Sequence, residues 1–383
     1  MVTLMRIFLE FLRLGCTSFG GPAAHIGFFQ RRFVHELRWV PEEDFASTLA
    51  LCQFLPGPSS SQLGFAIGYK RAGLGGALAA FSGFTLPSAL LMLMAGLGAT
   101  WLHSPGPWSA VLYMLQLTAV VVVADAVINM YQRYCQGPAL RWLCSIGFIA
   151  FLVLPAQLPL LVVAALLGAL FVSPSSPTRS VAAARPKLGW LTAAGVIAVW
   201  AAWQSQAATL GVGHAIAGFA QAGMWVFGGG HVVLPILQHQ FPALDSNQFL
   251  AGYGLAQALP GPLFSFAAYL GTQVFDNPVL GACIALIAIF APGFCLLLGV
   301  LDHWQTLVQK PRLGGAIAAV NAAVVALLAA ALWHPLISHC IVVPFQLLLA
   351  VVGLWLLRVR RWPVLGLLTL AVVIGLLQGF EFG

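Results

Sequence analysis

Residues 52–62 read CQFLPGPSSSQ, a Pro-Gly-Pro turn set inside apolar sequence and followed by three serines. No α-helix runs through it. Pro56 and Pro58 lack a backbone N–H, and each drives the residue before it out of the helical region, so one helix is expected to end near Leu55 and another to start near Ser59. The second opens with free N–H groups and the hydroxyls of Ser59, Ser60 and Ser61. In water this is a turn and a cap. At membrane depth such backbone has to line a cavity, and the positive end of a helix favours an anion. The same device recurs at 257–265, QALPGPLFS, which carries Pro260, Gly261 and Pro262.

Membrane depth is the right setting. Of 383 residues, 60% are hydrophobic and 7% charged, against about 25% charged in soluble domains, and the mean hydropathy is +0.94. The apolar runs at 74–100, 108–130, 188–203, 279–301, 313–333 and 341–357 approach or exceed the ~20 residues that cross a bilayer as a helix. The chain is therefore expected to be all-α and polytopic, with ten or more membrane segments. Arg6, Glu10 and Arg13 interrupt the N-terminal apolar stretch, so it reads as part of the fold and not as a signal peptide. The net charge of +7 sits in short clusters between apolar runs and reads as a topology signal, with no nucleic acid implied. Seven cysteines without a CxxC pair indicate neither a disulfide framework nor a zinc site.

The chain is duplicated. Ser18-Phe19-Gly20-Gly21 matches Val226-Phe227-Gly228-Gly229, Phe45 matches Phe249, Gln53 matches Gln257, and the two Pro-Gly-Pro turns match, all at offsets of 204 to 208. Pro87 recurs as Pro292. The organisation read from this is a first membrane repeat at 1–172, a Ser/Pro-rich basic linker at 173–187, a topology-flipping helix at 188–208 and a second repeat at 209–383. Basic residues cluster around the first repeat's motifs, whereas 188–309 holds no Lys or Arg. Under the positive-inside rule the repeats are then inverted in the membrane. Whether the Pro-Gly-Pro segments span it or re-enter, the parity is the same.

With these motifs in place, the sequence resembles the chromate transporter family in its long, two-domain form. The residues that carry the resemblance are 19–26 (FGGPAAHI), 39–45, 53–58, and Phe227-Gly228-Gly229 with Pro260-Gly261-Pro262. The resemblance implies chromate efflux across the inner membrane, with sulfate as an isosteric dianion, driven by the membrane potential or a proton gradient. A sulfate or other small-anion exchanger and a passive anion channel are the alternatives. A homodimer in the bilayer is one option for assembly. Sequence indicates no enzyme, cofactor or ATP site.

In secondary transporters the substrate lies between the repeats, where broken helices point at it. The residues expected to bind it are Gly20, Gly21, His25, Gln53, Pro56, Gly57, Pro58 and the three serines, with Gly228, Gly229, His231, Gln257, Pro260, Gly261 and Pro262 from the second repeat. The glutamines could donate to substrate or tie down carbonyls freed by the breaks. The two histidines could donate, titrate or simply pack. A dianion needs a cation, and Arg13, Arg31 and Arg32 are the candidates; a pairing of Arg13 with Glu10 is the structural alternative. Asp125, in VVVADAVIN, reads as the most isolated intramembrane carboxylate, a proton relay or a residue near the water interface.

Overall fold

The computed structural model describes residues 3–99, 107–154, 157–172, 211–227, 230–301 and 311–381. The expected linker at 173–187, the expected crossing helix at 188–208, and Gly228 and Gly229 lie outside the described residues. Among the described residues every regular element is helical. The first half runs α1 (Leu4–Thr17), α2 (Gly21–Phe29, continued by a π-helical turn Gln30–Glu36), α3 (Glu42–Phe54), α4 (Ser59–Leu97), α5 (Pro107–Tyr134), α6 (Pro138–Val153) and α7 (Gln157–Phe171). The second runs α8 (Gly211–Trp225), α9 (Val233–Gln240), α10 (Ser246–Ala258), α11 (Phe266–Val274), α12 (Pro278–Val300), α13 (Pro311–Ala331), α14 (Pro344–Arg358) and α15 (Val364–Glu381). The helices α4, α5, α12 and α13 are long and apolar enough to cross a membrane, and α6, α7, α14 and α15 are shorter apolar helices. This is an all-α polytopic membrane protein.

Local chemistry sets the breaks. Glu42, Glu43 and Asp44 form the first turn of α3 after Pro41, where carboxylates face the positive end of the helix. That helix stops at Phe54 and α4 begins at Ser59, on either side of Pro56-Gly57-Pro58. Gly57 sits at φ +120° and Gly261 at φ +95°, values that side chains resist.

The freed backbone groups find partners across the repeats. Gly57 N–H donates to the Val226 carbonyl (2.7 Å) and Gly261 N–H donates to the Ser18 carbonyl (3.0 Å). Ser18 and Val226 are matched positions, as are Gly57 and Gly261, so each turn is bonded to the helix break in the other half of the chain. Gln62, fully buried, adds a staple: its Nε2 donates to the carbonyls of Pro56 (2.9 Å) and Gly293 (3.0 Å). Gln62→Leu keeps the bulk but removes both bonds, including the one to the Pro56 carbonyl in the turn; the Gly293 carbonyl lies within α12 and keeps its place in the helix. The substitution is expected to cost about 1–3 kcal/mol, seen as a lower melting temperature in detergent; an unchanged one would mean the staple carries nothing.

Packing repeats the same reciprocity. In the first half, α5 packs on α14 and α15 of the second, and α13 of the second half packs on α6 and α7 of the first. Within each repeat a glycine lets two helices touch backbone to backbone: Gly15 against the Phe84 carbonyl, and Gly223 against the Ile289 carbonyl. Between repeats, Phe65 stacks on Phe294 with centroids 4.3 Å apart, and Phe81 meets Phe290 edge-on.

Candidate functional site

Where the two breaks meet, the chain leaves a cavity of about 290 Å³, several times the roughly 30 Å³ a liquid water occupies. Its wall combines Gly20, Gly21 and Pro22 from the first break, Gln53, Gly57 and Ser59 from the first Pro-Gly-Pro turn, and Gly230, His231 and Gln257 from the second repeat. One face of α5 completes it with Asp125, Asn129 and Arg133, spaced four residues apart and hence stacked along the helix.

The polar groups are held in place. Arg133 donates to Gln53 Oε1 (2.7 Å). The Asp125 carboxylate pairs with Arg358 of α14 (2.8 Å), and Asn129 joins both, donating to Asp125 (2.9 Å) and accepting from Arg358 (3.1 Å). Asp125 is therefore not isolated, as its sequence surroundings suggest; the fold brings it an arginine from 233 residues away. Among the described residues, ion pairs form at Arg32 and Arg358 and none at Arg133. With Asp125 neutralised, the cavity carries one cation in excess.

On the second-repeat side, Gln257 Nε2 lies 3.1 Å and the Tyr253 hydroxyl 2.9 Å from His231 Nδ1. An amide nitrogen can only donate, so Nδ1 accepts and the neutral ring carries its proton on Nε2. The two glutamines thus do different work: Gln53 accepts from the cation, while Gln257 fixes a histidine.

Other nominated residues sit elsewhere. His25 is buried; its Nε2 donates to the Ser18 carbonyl (3.2 Å), so its Nδ1 accepts from Ser60 Oγ (3.4 Å), and the ring meets Phe84 edge-on. It braces the break that Gly261 also bonds. Ser60 and Ser61 are buried behind the cavity wall, leaving Ser59 as the serine of the three that lines it. Pro56, Pro58, Pro260 and Pro262 frame the turns, and Gly261 lies against Ser88 and Phe84. Arg13 and Arg31 are exposed and outside the cavity wall. Arg32 is held by Glu10 (2.7 Å) and Glu36 (2.6 Å), so Arg32, and not Arg13, takes Glu10. Sequence reasoning passed over Asn129, Arg133 and Arg358. The first two had a signal: Asp125, Asn129 and Arg133 recur every fourth residue in an otherwise apolar helix.

A polytopic helical bundle with helix breaks converging on a polar, cation-bearing cavity is the architecture of a membrane transport protein. The chain belongs to the chromate transporter family, whose sequence model matches residues 5–172 and 213–376 and so spans both halves. Its relatives include the probable chromate transport protein of Synechococcus elongatus, 29% identical over 84% of this chain and 81% of that protein. The chromate transport protein of Cupriavidus metallidurans is 28% identical over 98% of this chain and 93% of its own length. That of Pseudomonas aeruginosa is also 28% identical, over 85% and 79%. No solved structure matches.

Proposed function

We propose that this protein is a secondary transporter that exports chromate from the cytoplasm across the inner membrane by alternating access, and so confers chromate resistance. The observation that carries the reading is the cavity's charge and donor set. Arg133, Ser59, His231 and the start of α4 turn donors or positive charge toward one space, which suits a tetrahedral dianion. Family membership and the names of the relatives support chromate as that dianion. The reciprocal bonds between Pro-Gly-Pro turns and helix breaks, together with the basic residues concentrated around the first repeat, support inverted repeats that exchange roles during transport.

Anion-dependent thermal stabilisation of the purified protein tests this. Chromate is expected to raise the melting temperature, by an amount equivalent to about 2.7 kcal/mol at a hundredfold excess over its dissociation constant. Sulfate and molybdate, similar in shape and charge, are expected to act in the same direction, and chloride to do nothing. Stabilisation by chloride with none from any tetrahedral dianion would sink the substrate assignment.

A further inference from the structure

The cavity has a counterpart in the second repeat. On α5 it is lined by Val122, Asp125, Ala126, Asn129, Met130, Arg133 and Tyr134. A shift of 205 residues, the one that takes Pro87 to Pro292, carries Val122, Asp125, Ala126 and Asn129 to Leu327, Ala330, Ala331 and His334, and Arg133 to Ser338. The first four line a separate cavity of about 410 Å³, and Ser338 is not among its lining residues. Part of the same stripe therefore faces a cavity in both halves, although His334 stands past the end of α13 at a non-helical residue and the matched positions share one alanine and nothing else.

The two cavities are divided by a short stretch of chain. His231 lines the first, Pro235 lines the second, and Val232, Val233 and Leu234 between them are completely buried. The second cavity thus stops short of the central glycine and glutamine positions. Its polar wall is Gln157, Gln238, His239 and His334, with no carboxylate, lysine or arginine among the lining residues. The chain ends differ too: the first cavity lies where α5 runs into Arg133 and Arg141, whereas the stretch 335–340 after His334 has no lysine or arginine. By the charge rule these ends lie on opposite faces of the membrane.

We infer that the second cavity is the release vestibule for the oxyanion, closed from the central site in this conformation by Val232–Leu234, with His239 and His334 as its donors. The inference rests on the transporter reading above. Neutral donors hold a dianion less tightly than the Arg133 cavity does, which is the asymmetry an exit needs.

Ala126→Cys and Ala331→Cys place matched thiols in the two cavities, with Ala330→Cys as a second probe of the exit. An impermeant maleimide is applied to right-side-out and inside-out vesicles, and labelling at each position is read by peptide mass spectrometry, which separates it from the seven native cysteines. Chromate flux is measured in the same vesicles. Ala126→Cys is expected to label from the cytoplasmic face and Ala331→Cys from the opposite face, with turnover raising the second severalfold and lowering the first. Labelling of Ala330→Cys and Ala331→Cys from the same face as Ala126→Cys, or from neither face while chromate flows, overturns the vestibule and leaves the transporter reading intact. Absence of chromate flux in the wild type overturns that reading, and the vestibule with it.

Discussion

Arg133→Ala is expected to weaken oxyanion binding by roughly 10- to 150-fold, the equivalent of losing a charged hydrogen bond worth about 1.5–3 kcal/mol at about 1.4 kcal/mol per tenfold. Arg133 lines the cavity, its recorded side-chain hydrogen bond is to the neutral Gln53, and no carboxylate pairs with it among the described residues. Its guanidinium is exposed at the cavity and lies over the Tyr134 ring, 5.4 Å from its centroid, and no carboxylate neutralises it among the described residues. Arg358, by contrast, is neutralised by Asp125. Arg133→Lys keeps the charge and loses the planar fork, so partial recovery is expected. The informative controls are Arg13→Ala and Arg31→Ala, exposed residues outside the cavity wall, which should leave chromate-dependent stabilisation within about twofold. If Arg133→Ala binds chromate as the wild type does, the anion does not sit in this cavity.

The second large effect is structural. Gly15→Ala and Gly223→Ala are each expected to destabilise the protein by about 1–3 kcal/mol or more. An added Cβ at Gly15 would lie 2.6 Å from the Phe84 carbonyl oxygen, and one at Gly223 would overlap that of Ile289. Backbone cannot rotate aside, so α1 must part from α4, or α8 from α12. Gly27 is the control: a Cβ there meets nothing within 4 Å, and alanine suits a helix better than glycine. Melting temperatures in detergent should fall for the first two variants and hold or rise for Gly27→Ala. Equal behaviour of all three would refute the close helix contacts.

Much of this was legible in the sequence because the responsible physics is local. A proline lacks an N–H wherever it stands, so the ends of α3 and α4 followed from Pro56 and Pro58 alone. The cavity was legible in part, and its gaps have definite causes. Consecutive helical residues point about 100° apart, so Ser59, Ser60 and Ser61 cannot all face one space; Ser60 turns to His25 instead. Arg133 carries two meanings at once, since a basic residue at a helix end satisfies the positive-inside rule whether or not it also faces a ligand. Arg358 read as a loop charge for the same reason. Nothing local links it to Asp125, and only the packing of α14 on α5 makes the pair.

The exchange of partners between repeats also governs how the protein comes into being. Helices enter the membrane in order of synthesis, yet α5 reaches its neighbour α15 only once residues 364–381 have been made, and Gly57 waits for Val226 to acquire its bond. Early segments must therefore stand half-assembled in the lipid while most of the chain is still being translated. Contacts so distant in sequence are slow to form and leave intermediates exposed to quality control. A nonsense mutation anywhere before 364 would strip α5 of α15, so a shortened product should be cleared by proteolysis and not persist as a weaker transporter.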